Sequence, residues 1–379
     1  MHYRLGYSLL VSLLLGTARS ACAQDVPGLL VGQVISRETE LPLGHAMISV
    51  LGAERQTFSS EAGVFAFRAM DPGRYRLHVT RIGYVPADID VMIPAVGAPP
   101  RVRVLLERLS MKLSTVKVVA ASSCTAPGRP DPNVSRDFAA IFLQLRLNAE
   151  HYRLLADSFP FTFQVQRIQA EMKRDSSRGS PRIDTLNLRT DHRGWEYQVG
   201  EMLEQDRTGR YLMHLPDLRD FAGYEFLNNH CFRFAGLDST RDGVLLRIDF
   251  RADVQLRKPD VNGAIFLDPQ TFQIRRADLE LTKVPPEVGD VTAVHVTTLF
   301  AEISPSIVVI HDVHGINSRR HLRLPWSVVA MTEDQRMMHF EWLRNDPAHP
   351  PTQPQVFDYA ATDARTATAR RSGPLCGCR

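Results

Sequence analysis

The stretch Gly73-Arg74-Tyr75-Arg76-Leu77-His78-Val79-Thr80-Arg81-Ile82-Gly83-Tyr84 alternates apolar and polar side chains. Tyr75, Leu77 and Val79 fall on one side, and Arg74, Arg76, His78 and Thr80 on the other. That is the period-2 pattern of a strand with one buried and one wet face. Working outward, alternating runs recur at 30–37, 46–52, 64–69 and 102–106. The turn formers Pro42-Leu43-Gly44, Glu61-Ala62-Gly63 and Asp71-Pro72-Gly73 separate them. Short strands at this spacing predict a β-sandwich over 27–109. Phe65, Phe67, Tyr75, Leu77 and Val79 are its candidate core, each burial contributing about 1.5–3 kcal/mol.

The chain has 379 residues, enough for two or three domains. Its 45 Lys+Arg against 42 Asp+Glu leave a net charge of +3, too balanced to argue for nucleic acid or an anionic surface. Residues 1–23 read as a secretory signal. Arg4 supplies the positive end, 9–15 an apolar core, and Ala21-Cys22-Ala23 an A-x-A cleavage site. Arg19 stands where a lipoprotein signal wants Leu. No later run reaches the ~18 apolar residues of a spanning helix, so the reading is an exported protein without a transmembrane span. It would be periplasmic or secreted, with outer-membrane association as a further option. Cys124, Cys231, Cys376 and Cys378 then remain, with three possible pairings if all are bridged. Only Gly377 separates the last two, so their mutual bridge would be strained. Cys124–Cys231 is the favoured bridge, with free thiols as the alternative.

The ordered run Gly32-x-Val34, Leu41-Pro42-Leu43-Gly44-x-Ala46-x-Ile48-x-Val50, Glu61-Ala62-Gly63-x-Phe65-x-Phe67, Pro72-Gly73-x-Tyr75-x-Leu77-x-Val79 and Gly83-Tyr84 resembles the carboxypeptidase regulatory-like domain. The resemblance implies a prealbumin-like sandwich of the carbohydrate-binding-like group, an accessory to other domains without peptidase activity of its own. The chain departs from the family's usual Thr-Asp before the turn glycine, carrying Ser59-Ser60-Glu61-Ala62. Gly63 still supplies the permissive backbone. Tyr75 and Tyr84 are the candidate ligand-contact aromatics if the sandwich binds sugar, although aromatics alternating in a strand are more often core.

A connector follows at 110–134, and its first part is similar to the run leading into the plug of TonB-dependent receptors. About 260 residues remain after it, too few for a plug and a 22-stranded barrel of ~9–11-residue strands. The next unit, 135–346, opens with Phe138, Ile141, Phe142, Leu145, Ala149, Tyr152 and Leu155, one apolar face of a helix over 138–155. Ser135 is a fair N-cap. Predicted strands follow at 162–172, 182–190, 195–198, 231–235, 244–252, 264–267, 272–282, 293–303 and 307–312, with a short helical piece within 215–229. The expected fold is mainly β: the sandwich plus a larger, mostly antiparallel curved sheet with one long packing helix (α+β). Asn229-His230-Cys231-Phe232 and the 259–272 hairpin, with its Gly263-x-Ile265-x-Leu267-Asp268-Pro269-x-Thr271 core, resemble exported bacterial proteins carrying this module. The hairpin is also similar to curved-sheet proteins of the periplasmic lipoprotein-carrier type. That likeness implies an apolar cavity under the helix, whereas a helix merely covering a sheet is the commoner arrangement. The segment 347–379 is Pro-, Thr- and Arg-rich and is expected to be disordered.

Among 13 His, none has Glu three residues on, and no H-E-x-x-H, G-x-S-x-G elbow or phosphate-binding glycine loop is present. His311 and His314 form the one close pair, with His295 and His321 as distant companions. On a regular strand the two rings would diverge. No catalytic, cofactor-binding or metal residues are assigned, and no cofactor is expected. The function expected is that of a non-enzymatic exported envelope protein whose sandwich docks or binds. The alternatives are carbohydrate binding by the sandwich, lipid or lipoprotein binding by the second unit, and an unfamiliar hydrolase. Its partner would be an envelope protein, glycan or lipid.

Overall fold

The computed structural model describes residues 28–110, 123–172, 179–190, 195–205, 207, 211–240, 243–285, 288–289, 291–304, 307–321, 324–343 and 357–358. The predicted signal, residues 111–122 of the connector and nearly all of the predicted tail lie outside the described residues. No helix among the described residues is long and apolar enough to cross a membrane.

The first unit holds seven strands: β1 (Leu30–Ser36), β2 (Met47–Val50), β3 (Arg55–Phe58), β4 (Val64–Phe67), β5 (Gly73–Thr80), β6 (Ala87–Ile93) and β7 (Arg101–Leu106). One sheet runs β4-β1-β7, with β1 and β7 parallel. The other runs β3-β2-β5-β6, all antiparallel. Leu30, Val34, Phe65, Phe67 and Val104 from the first meet Ile48, Leu77, Val79 and Val91 from the second in one core. Gly32 is where that core closes most tightly: a Cβ there would lie 2.3 Å from the Phe65 ring and 2.9 Å from the Val102 carbonyl. β3 and β6 go beyond the five predicted strands. β3 has four residues and buries one of them, too little to register as alternation.

The second unit begins with α1 (Arg136–Ser158), its first turn capped by the Ser135 hydroxyl, which accepts from the Phe138 N–H at 3.2 Å. Then come β8 (Phe161–Met172), β9 (Arg182–Arg189), a small hairpin of β10 (Leu203–Gln205) and β11 (Tyr211–Met213), a 3-10 turn Asp220–Ala222, and α2 (Tyr224–Asn229). The chain continues through β12 (His230–Thr240), β13 (Gly243–Ala252), β14 (Val261–Leu267), β15 (Ile274–Leu281), β16 (Val291–Ser304), β17 (Ile307–His321) and β18 (Leu324–Trp342). The nine-stranded antiparallel sheet has the order β12-β13-β14-β15-β16-β17-β18-β8-β9 and does not close into a barrel. A last short strand, β19 (Phe357–Asp358), pairs with β3. Ile141, Phe142, Leu145, Ala149 and Tyr152 of α1 pack with Leu246, Ile248, Ile265 and Leu267 of the sheet. Gly263 in β14 is a second forced glycine, since a Cβ would sit 2.1 Å from the Asp278 carbonyl.

Two predicted elements are corrected, and a long strand was missed. Residues 195–198 are not a strand: the Tyr197 N–H donates to Asp220 Oδ1 at 3.2 Å, which holds the segment as a loop. β17 runs on well past residue 312. β18, at 19 residues the longest strand, was not predicted at all. Its middle, Thr332 to Arg336, is polar and breaks the alternation. Those side chains are satisfied across the sheet: Gln169 donates to Glu333 at 2.6 Å, and Arg336 to Asp312 at 2.7 Å.

α1 also buries a second, polar face that the amphipathic pattern presented as wet. Gln144, Asn148 and His151 lie at i, i+4 and i+7, and all are buried. Gln144 accepts from the Gly83 N–H at 2.7 Å and donates to the Tyr84 carbonyl at 3.3 Å. His151 Nε2 lies 3.0 Å from the His45 carbonyl, its ring edge-on to Phe58. Ile82 of the sandwich packs in the core of the second unit. The sandwich is thereby stitched along one helix face to the sheet.

Asn148 extends the stitch into the 268–274 turn, donating to the Phe272 carbonyl at 2.8 Å and accepting from the Ile274 N–H at 2.9 Å. Asn148→Ala orphans two buried backbone groups, so urea unfolding of the full chain should show a loss of about 2–3 kcal/mol. A loss within measurement error would mean that water replaces the amide.

His151 carries a pH dependence. Burial, reinforced by nearby His45 and Arg81, lowers its pKa from 6.5 to about 4. The unfolded chain therefore takes up the proton first as pH falls. Stability present above pH 6.5 is lost between pH 6.5 and about 4, by up to about 3 kcal/mol. Over that window the urea midpoint of the native chain should fall more steeply than that of His151→Gln, and parallel slopes would remove His151 as the cause.

Candidate functional site

The end of β13, the start of β14 and the segment after β15 meet a strap formed by 123–128. Cys124 and Cys231 are disulfide-bonded across 107 positions of sequence, the pair favoured from the sequence. The Cys124 carbonyl accepts from the Val254 N–H at 3.0 Å, and the Gly128 N–H donates to the His230 carbonyl at 3.0 Å. Gly128 bridges Cys231 in parallel, so the strap covers the start of β12, an edge strand of the large sheet.

Between strap and strands lies a pocket of about 300 Å³. Its walls are Ser123 and Cys124 from the strap, Arg251 at the end of β13 and Asp253 just after it, Asp260 just before β14 and Asn262 within it, and Thr282 and Lys283 after β15. Asp260 anchors the floor and is fully buried, as is His230 behind it. Asp260 Oδ2 accepts from the Tyr197 hydroxyl at 2.6 Å, and Oδ1 from the Val261 N–H at 2.7 Å. The Asp260 N–H donates to Thr282 Oγ1 at 3.0 Å. His230 Nε2 is 3.5 Å from Asp260 Oδ1.

Electrostatics hold these groups in fixed states. Burial, then the Asp260 charge, pushes the Tyr197 phenol far above its ordinary range, so it stays a donor. His230 lies between two carbonyl oxygens, Phe226 O at 2.9 Å from Nδ1 and Val261 O at 3.0 Å from Nε2. A neutral ring donates to one of them. A second proton would serve the other and is favoured by Asp260, but complete burial opposes it more strongly and lowers the pKa. The Tyr–Asp–His chain is thus spent on internal bonds. It sets the floor of the pocket.

The aromatics singled out from the sequence lie elsewhere. The Tyr75 hydroxyl donates to the Asp71 carbonyl at 3.0 Å, and the ring packs on the sandwich core. Tyr84 also packs on that core, with the Arg81 guanidinium 5.0 Å from its ring centroid. Between β16 and β17 the register slips at Leu299/Phe300 opposite Asp312/Ile310, leaving His311 as the extra residue. His311 pairs with Asp312, and His314 with Asp334. His295 lies 3.9 Å from Glu280; the side chain of His321 is outside the described set. No group of three metal-ligating side chains is gathered among the described residues. Sequence reasoning missed Asp260 and Arg251 as pocket residues, and Tyr197 as the donor that holds Asp260. The two short stretches quoted for their likeness to exported proteins, 229–232 and 259–272, do meet here, but only the fold brings them together.

Residues 30–107 match the family model of the carboxypeptidase regulatory-like domain, which covers the sandwich from β1 to just past β7. No curated protein matches by sequence. Among solved structures, the chain is similar to a DUF1329 family protein from Desulfovibrio piger, at 9% identity over 55% of this chain and 93% of that one, TM-score 0.30. It is similar to a LolA superfamily protein from Nitrosomonas europaea, at 8% identity over 54% and 94%, TM-score 0.28. A cohesin–X-dockerin complex chain from Acetivibrio cellulolyticus aligns at 13% identity over 21% and 58%, TM-score 0.18, so less than two thirds of its length is spanned. These structural likenesses are too distant to bear on function.

Proposed function

We propose that this chain is a non-enzymatic, exported cell-envelope binding protein in which the sandwich is the docking module. The observation that carries the reading is the stitch from Gln144 and His151 of α1 to Gly83, Tyr84 and His45 of the sandwich. A module locked by buried hydrogen bonds to its neighbour transmits position and load, which suits docking. The matched family acts as an accessory to other domains, which agrees with that role. The interior beneath α1 is occupied by Phe142, Phe161 and Phe250, so a bilayer surface or an envelope polymer is favoured over a lipid chain drawn inside.

The test is sedimentation of the purified full chain with isolated envelopes, with peptidoglycan sacculi and with phospholipid vesicles. Co-sedimentation with one of them, weakened by Gln144→Ala, is expected. Turnover of model peptide, ester or glycoside substrates by the same preparation would overturn the reading.

A further inference from the structure

Many charged groups of the large sheet are tied to one another. Arg233 and Arg247 pair with Asp249, Arg247 also with Asp238, Arg276 with Asp278, and Arg336 with Asp312. Even exposed Lys258 is held by Glu201 at 2.5 Å. Arg251, opposite Cys231 in the β12–β13 register and lining the pocket, has no carboxylate partner among the described residues. Lys283 beside it makes one bond, to the Leu256 carbonyl at 2.9 Å. Asn262 uses its oxygen on the Ala252 N–H at 3.0 Å, which leaves its Nδ2 donor unengaged among the described residues.

Acceptors are scarce in the same space. Asp260 is fully buried and already accepts from Tyr197 and Val261, and Asp253 Oδ1 accepts from the Gln255 N–H at 2.9 Å. Two cations and an amide donor therefore share the pocket with two carboxylates, of which Asp260 is fully buried beneath it. The walls are fixed in advance by the disulfide, the strap hydrogen bonds and the Asp260 floor, which lowers the ordering cost of binding.

We propose that this pocket binds a compact oxyanion ligand, a carboxylate or phosphate group on a body no larger than a monosaccharide. Arg251 would grip the oxyanion through its forked N–H groups, with Lys283 as the second charge and Asn262 orienting. The volume of about 300 Å³ lies at the small end of ligand pockets, which sets the size limit. The inference extends the binding role above to one site and does not depend on what the sandwich docks to.

Isothermal titration of the full, oxidised chain with glucuronate, succinate and inorganic phosphate tests it, and the arm that binds identifies the oxyanion. One-to-one binding is expected, with affinity falling about 10- to 100-fold in Arg251→Ala, falling again in the Arg251→Ala/Lys283→Ala pair, and unchanged in Lys258→Ala. Arg251→Gln, which keeps a polar hydrogen-bonding end but removes the charge and the fork, guards against a folding artefact and should lose affinity similarly. Silence from all three probes at tens of millimolar, or equal binding by the double variant, would overturn the site. Anion binding without envelope association would keep the site and remove the docking role.

Discussion

Asp260→Ala should lower the stability of the full chain by about 3–5 kcal/mol, the cost of removing one partner from a buried charged network. The side chain has no exposure. Its loss strands the Tyr197 hydroxyl, the Val261 N–H and the face of His230 that lies 3.5 Å away. Tyr197→Phe removes one hydrogen bond to a charged acceptor and should cost about 1.5–3 kcal/mol. Because both changes act on one contact, the double variant should be less destabilised than the sum of the singles. Urea unfolding at neutral pH reads all three. Additivity, or an Asp260→Ala loss below about 1 kcal/mol, would show that the carboxylate is not the hub described.

The second large effect belongs to the disulfide. Cys124–Cys231 spans 107 positions of sequence. In the chain-entropy account, a loop of about 100 residues constrains the unfolded chain by about 4.7 kcal/mol, and removal of native bridges typically costs 2–5 kcal/mol. The double variant Cys124→Ala/Cys231→Ala should fall in that range against the oxidised native chain. The strap should loosen as well, read as faster hydrogen exchange at Gly128 and Val254, whose amides donate to His230 and Cys124. Equal midpoints for oxidised and reduced protein would refute the assignment.

The sandwich was legible because its signals are local. Turn glycines at 44, 63 and 73 and the alternation of Tyr75, Leu77 and Val79 specify strands without reference to anything distant. The long helix was legible for the same reason, down to the Ser135 cap. What could not be read depends on partners far along the chain. Gln144, Asn148 and His151 look like an ordinary wet face until the sandwich is set against them. β18 hides because Glu333 and Asp334 behave as surface residues in sequence, while in the sheet they meet Gln169 and His314. The pocket draws on residues 123–124, 251–262 and 282–283, and no spacing rule links those numbers.

The pairing of β18 with β8 has a kinetic corollary. The first strand of the large sheet waits for the last: Gln169 meets Glu333 across 164 positions of sequence. A pairing across so long a loop pays its closure entropy before it gains contacts, so it forms slowly and late. Until the C-terminal third of the unit arrives, β8 presents an unpaired edge that invites misassociation, so a chaperone holding the nascent hairpin would raise the yield more than one acting on the finished molecule.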